Sequence, residues 1–234
     1  GIGEAGFAKN RRQYNVGGVS NGFNPIGPVD HDVPVLLAKD AQGNVKGILF
    51  GYACHNTTVS FQEYSGDYAG YAQIHIEKAY PGATALFSAG CGADQNPLPR
   101  RKLELAEQYG AELGSAVEAI VNAAMTPVEG TIDAKYKVIG LPLSKAPTEA
   151  ELDKQLTDSN VYVVRRAQKL KAELQAKGEI SETMPFPVQV WKIGDAVQVT
   201  VFGGETCVDY SLLVKHEYPR EKQFVMSYSN DCLA

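Results

Sequence analysis

Apolar positions recur along this chain with two periods. Residues 33–38 and 45–53 are nearly continuous apolar runs, which predicts two buried strands with Asp40-Ala41-Gln42-Gly43 as the hairpin turn between them. The second strand delivers Cys54 and His55 at its end. A helix is predicted over 65–80, capped by Ser65 or Asp67 and ended by Pro81-Gly82. Its apolar face carries Tyr68, Ala72, Ile76 and Ala79 together with His75, so His75 reads as a packing residue. Residues 84–88 form a short buried strand. It runs into a small-residue turn, Ala89 through Pro97, where backbone N–H groups can approach a ligand closely. The clearest helix spans 101–124, with Leu103, Ala106, Gly110, Leu113, Val117, Ile120 and Ala124 in one stripe.

Beyond it, residues 131–141 alternate as a strand. Residues 148–177 are charged and helical, opening with a Thr148-x-x-Glu151 capping box, and Val161, Val164, Ala167, Leu170 and Leu174 make a narrow stripe. Residues 186–202 read as a second hairpin turning at Gly194-Asp195, and it runs into Gly203-Gly204-Glu205. A last strand over 224–227 leads to Tyr228-Ser229-Asn230-Asp231-Cys232. Residues 1–28 show little periodicity and read as a surface segment carrying Asn10-Arg11-Arg12. Strands alternating with helices, plus two hairpins, predict an α/β fold. The expected form is a mixed central β-sheet flanked by helices, with a helical hairpin inserted around 148–177. No internal repeat is legible, and 1–234 reads as a single domain.

Composition changes this picture little. An apolar content of 44% with 21% charged residues is ordinary for a globular chain. The net charge of −5, with no basic block, argues against nucleic acid. No apolar run is long enough for a transmembrane segment. Neither an initiator Met nor a signal peptide is present, so the chain reads as a processed product. Cys54, Cys91, Cys207 and Cys232 include no C-x-x-C pair, and they read as small buried thiols rather than a disulfide framework.

Candidate chemistry lies at strand ends. His55, Asp94, Glu205 and the 228–232 cluster each follow a predicted strand. If those strands share an edge, a His, a carboxylate and a Tyr or Cys converge, which is the donor set a catalytic zinc needs. On its own stretch, His55 reads first as a core or strand-end residue with a satisfied hydrogen bond, and only the rest of the chain shifts that weighting.

The order of these segments resembles the N-terminal catalytic domain of the neutral/alkaline, non-lysosomal ceramidases, zinc amidohydrolases that cleave the N-acyl bond of ceramide. The family's His-Gly-Thr-Ser and Ser-Gly-Asp motifs are similar to His55-Asn56-Thr57-Thr58 and Ser65-Gly66-Asp67. Its Asn-x-Asn-Arg segment resembles Ala8-Lys9-Asn10-Arg11, its Pro-Gly-Glu resembles Gly203-Gly204-Glu205, and its terminal Ser-Asn-x-Tyr-x-x-Tyr resembles Ser229 through Ala234. The resemblance implies His55 and Glu205 as zinc ligands close together in space, with Arg11, Asn96 and Asp94 at the catalytic centre.

Three departures accompany it. Asn96 stands where the family has a Ser, so a Ser nucleophile is lost while an oxyanion donor is kept. Cys232 stands where the family has a Tyr, and would be a substitute metal ligand; His31 is a further candidate. The family's His-Thr-His-Ser-Gly-Pro motif does not occur, so the zinc site of this chain is expected to be incomplete and the chain to be part of a larger catalytic domain. The implied substrate is a lipid or small-molecule amide, and the implied address is secreted, periplasmic or cell-surface. A metal-free hydrolase of the same fold and a degenerate, non-catalytic binding member are the alternatives.

Overall fold

A computed structural model describes residues 1–16, 18–219 and 222–231. The chain forms two compact units, residues 1–137 with 188–234, and residues 138–187.

The larger unit is built on one arrangement used twice. Strands β5 (Asp32–Lys39) and β6 (Val45–Tyr52) pair antiparallel, helix α1 (Asp67–Ala79) crosses over, and β7 (Thr84–Ala89) returns parallel to β6. Later, β10 (Thr183–Ile193) and β11 (Val197–Phe202) pair antiparallel, α5 (Val208–Glu217) crosses over, and β12 (Lys222–Met226) returns parallel to β11. Each set makes a four-stranded sheet, completed by β1 (Ile2–Glu4) beside β5 and by β9 (Ile132–Pro142) beside β10. The mixed α/β class is as expected. The single central sheet is instead two, because each crossover helix returns the chain to its own hairpin.

Local chemistry explains the elements. The Asp40 carboxylate accepts from the N–H groups of Gln42 and Asn44, which closes the β5–β6 turn at the left-handed Gly43. One face of the first sheet, with Val33, Val35, Ile48 and Phe50, packs on Tyr68, Ala72 and Ile76 of α1 and on Leu113 and Val117 of α2 (Leu103–Val121). The α2 stripe is narrower than its sequence suggests, since Leu103 is exposed. The two helices cross closely: a β-carbon at Gly110 would fall 2.9 Å from the Tyr68 carbonyl oxygen. His75 bonds Glu118 across the same crossing at 2.9 Å, a packing role as expected. The other face of the first sheet sends Leu36 and Leu49 into a second cluster with Val197, Val199, Val201 and Phe224.

Three elements depart from the sequence reading. Residues 1–28 are not irregular: besides β1 they hold β2 (Ala8–Asn10), paired with β8 (Gln95–Pro97), and a β3–β4 ribbon (Arg12–Asn15, Gly18–Asn21). Helix α5 has no sequence counterpart, because Leu212 and Leu213 stay exposed and it shows no apolar stripe. Strand β9 alternates in sequence yet leaves Ile132, Tyr136 and Val138 exposed. In the smaller unit the expected helical hairpin is present as α3 (Glu149–Gln155) and α4 (Val161–Lys177). Its capping box is complete, with the Glu151 carboxylate accepting from Thr148 N–H at 2.7 Å. Leu152 and Ala167 are its buried contacts. Among the described residues no helix is long and apolar enough to cross a membrane.

Candidate active site

The repeated arrangement places two candidate residues equivalently. His55 follows Tyr52, the last residue of β6, by three positions, and Glu205 follows Phe202, the last residue of β11, by three. Both stand at the carboxyl ends of parallel pairs, where open α/β sheets collect their chemistry. The two ends are stitched together: Ala93 N–H donates to Thr206 O at 3.2 Å, and Ser227 N–H donates to Ala89 O at 2.9 Å.

The turn after β7 comes hard against the strand carrying His55. A β-carbon at Gly92 would lie 2.8 Å from the Cys54 backbone nitrogen, so only glycine allows the approach. That contact aims the Ala93 carbonyl at the site. The carbonyl accepts from Arg11 Nε at 3.1 Å, Arg11 Nη2 at 2.7 Å and Arg12 Nη2 at 3.3 Å. Arg11 Nη2 also reaches His55 Nε2 at 2.9 Å, and Nη1 reaches Asn96 Oδ1 at 3.4 Å. A guanidinium only donates, so His55 Nε2 accepts and its ring proton sits on Nδ1. The 3.2 Å approach of Nε2 to Ala93 O is then non-bonded. Burial, and after it the Arg11 charge, push the His55 pKa below its ordinary value, which keeps the imidazole neutral.

Glu205 is exposed, and its charge acts on His55, Arg11 and Tyr228. Tyr228 is held at φ 55, rare for an aromatic residue, with its ring centroid 6.1 Å from that of His55. Its hydroxyl is buried without a hydrogen-bond partner. Burial, then Glu205, raise its pKa, so the phenol keeps its proton. Because that hydroxyl satisfies nothing, Tyr228→Phe is expected to leave stability within about 1 kcal/mol or to raise it slightly. Urea unfolding checks this, and a loss of about 2 kcal/mol or more would assign the hydroxyl a structural bond.

Asp94 is buried, with both oxygens engaged: Oδ1 accepts from Val208 N–H, the first residue of α5, at 2.9 Å, and Oδ2 from Asn10 Nδ2 at 3.1 Å. Its carbonyl takes the Arg11 N–H at 2.8 Å. Asp94 thus ties β2, the turn and α5 together. Asn96 is buried beside Arg11. His31 lies apart from this cluster, bonded to Ala8 O at 3.0 Å. Cys54, Cys91 and Cys207 are free thiols. Burial raises the pKa of Cys54 well above the ordinary thiol value and that of Cys91 to about 12, so both are protonated and poor ligands. Cys232 lies outside the described residues. Among those described, no group of three His, Cys, Asp or Glu side chains could hold a metal ion.

Sequence reasoning missed the Ala93 carbonyl, which has no side-chain signature, and the unpaired Tyr228 hydroxyl. The Gly90-Cys91-Gly92 run was the available signal for the first. A cleft of about 350 Å³, apolar along Leu36, Leu49, Trp191, Val199 and Val201, reaches Ser229 and Asn230 next to Tyr228. No chain-binding groove was legible in the sequence, because these side chains come from strands far apart along it.

A mixed α/β scaffold with its polar cluster at parallel-strand ends is an architecture used by many enzymes. Comparison with known proteins narrows it. No protein-family model matches the sequence, and no curated protein matches it. Solved structures do match. A ceramidase complexed with C2 aligns over 97% of this chain and 46% of its own, with TM-score 0.64 and 16% identity. The neutral ceramidase from Pseudomonas aeruginosa aligns over 97% of this chain and 44% of its own, with TM-score 0.63 and 16% identity. The chain has the ceramidase fold, and it spans less than half the length of these structures.

Proposed function

We propose that this chain is part of an amidohydrolase that cleaves the N-acyl bond of a lipid amide. The observation that carries the reading is a half-buried guanidinium, Arg11, set against a neutral imidazole, His55, within the field of the Glu205 carboxylate. The ceramidase fold and the apolar cleft that reaches Ser229 and Asn230 support a substrate with an acyl chain.

The roles follow from the contacts. Arg11 carries a fixed positive charge, with Ala93 O and Asn96 Oδ1 holding its plane, and so suits the oxygen of a polarised carbonyl. Asp94 positions Arg11 through the backbone and through Asn10. Zinc, implied by the resemblance, would be held by the neutral His55 imidazole and the Glu205 carboxylate only once Arg11 gives up its bond to His55 Nε2, with the remaining donors coming from outside the described residues. Bound there, the ion would supply a Lewis acid and a water of lowered pKa. Hydrolysis adds water across the C–N bond, giving a fatty acid and an amine. A secreted or cell-surface address belongs to the same proposal.

One observation favours a second reading, a metal-free hydrolase of this fold: Arg11 already occupies His55 Nε2. Both are tested by incubating the full-length protein with a panel of N-acyl amides and measuring released fatty acid by mass spectrometry, with added zinc and with chelator. Turnover lost to the chelator is expected. Turnover that ignores the chelator selects the second reading, and no turnover of any amide overturns both.

A further inference from the structure

His55 stands in a segment without regular structure, residues 53–66, so no strand or helix holds its backbone in place. Four hydrogen bonds do so instead. Cys54 O accepts from the buried Tyr68 hydroxyl at 2.7 Å, and His55 N–H donates to Gln95 O at 3.1 Å. Thr58 O accepts from Arg101 N–H, and Val59 N–H donates to Asp67 Oδ2 at 3.0 Å. Two of the four bonds come from Asp67 and Tyr68, the first two residues of α1. Side chains just after His55 add little, since Asn56 and Thr57 are exposed and the buried Thr58 hydroxyl has no partner.

Asp67 makes its contact at a cost. It is buried, and its backbone is left-handed at φ 50, a conformation that Asp tolerates better than most residues but that still stores strain. Its second oxygen, Oδ1, accepts from Tyr68 N–H at 2.8 Å, and its own N–H donates to Ser65 Oγ at 3.0 Å. Gly66 between them has to be glycine, because a β-carbon there would lie 2.8 Å from the Gly70 α-carbon. A helix cap alone needs neither burial nor a left-handed backbone. Here both serve the bond to the loop, and Ser65-Gly66-Asp67 is the device that makes it. We propose that Asp67 is a positioning residue: its carboxylate holds the loop that follows His55, and so fixes where the imidazole stands beside Arg11. The proposal rests on the amide-hydrolase reading for its kinetic consequence; the hold on the loop needs no turnover.

Asp67→Asn tests it in the full-length protein. An amide nitrogen cannot accept, so either Val59 N–H or Tyr68 N–H loses its partner. The variant is expected to lower kcat for an N-acyl amide about 10²-fold, with KM within about threefold of wild type. In a His55→Ala background the same change should lower turnover no further, because the group being positioned is gone. Equal losses in both backgrounds, or an unchanged kcat, would overturn the proposal. Hydrogen exchange read by mass spectrometry follows the loop without turnover. Peptides covering 54–60 should exchange at least about tenfold faster in Asp67→Asn, with those of α2 unchanged. Wild-type exchange of the loop would also overturn it. If Asp67→Asn does not fold, Ser65→Ala removes only the acceptor of the Asp67 N–H and should lower kcat about fivefold. Wild-type kcat in that variant again overturns the proposal. A faster-exchanging loop in a protein that cleaves no amide sinks the functional reading and keeps the hold on the loop; turnover that ignores Asp67→Asn does the reverse.

Discussion

Turnover of an N-acyl amide is expected to fall about 10³-fold when His55 is replaced by Ala, with the fold intact. The structural cost is small because Arg11 keeps its bonds to Ala93 O when the imidazole is gone. His55→Gln separates the two roles of the side chain. A glutamine oxygen can still accept from Arg11, which restores the contact, but glutamine carries no imidazole to hold a metal or move a proton. Both variants are therefore expected to melt close to wild type and to be similarly inactive in steady-state fatty-acid release. Activity recovered by Gln would reduce His55 to a support for Arg11.

Lys215→Met is expected to cost about 3–5 kcal/mol of stability, a large share of what a domain of this kind possesses. Lys215 Nζ lies 2.7 Å from both oxygens of Asp30 and 2.7 Å from Asp32 Oδ2, and Ser211 Oγ donates to Asp30 at 2.6 Å. Asp30 is buried, so removing the ammonium leaves a carboxylate without a counter-charge. The same bond fastens α5 to the start of β5, and through Val208 that helix meets Asp94. Urea unfolding measures the loss. Adding Asp30→Asn should recover part of it, because the stranded charge is then gone. A loss under about 1 kcal/mol would class the pair with exposed ion pairs.

What could be read in advance followed from local chemistry. The β5–β6 hairpin, α1 and the Thr148 capping box were legible because each rests on neighbours in sequence: a turn aspartate, an apolar stripe, a reciprocal cap. Helix α5 was not, because Val208 and Ser211 are buried while Leu212 and Leu213 face out, so its tertiary anchors are polar. The division into two sheets was hidden for a related reason, since strand runs do not state which strands they pair with. At the site, position alone marked His55 and Glu205 as strand-end residues, whereas Arg11 gained its place only through the family resemblance. The part played by Ala93 depends on its carbonyl, which every residue possesses.

The duplicated hairpin–crossover–strand arrangement also orders events during synthesis. A ribosome delivers the first copy, with Arg11, His55, Ala93, Asp94 and Asn96, well before the second copy exists. Glu205 and Tyr228 arrive with the second copy, as do the N–H that Asp94 awaits and the ammonium that neutralises Asp30. A nascent or truncated chain holding only the first copy therefore has the guanidinium and the imidazole but not the Glu205 carboxylate. The Glu205 carboxylate and the Tyr228 hydroxyl join the cluster only once the second copy has been made.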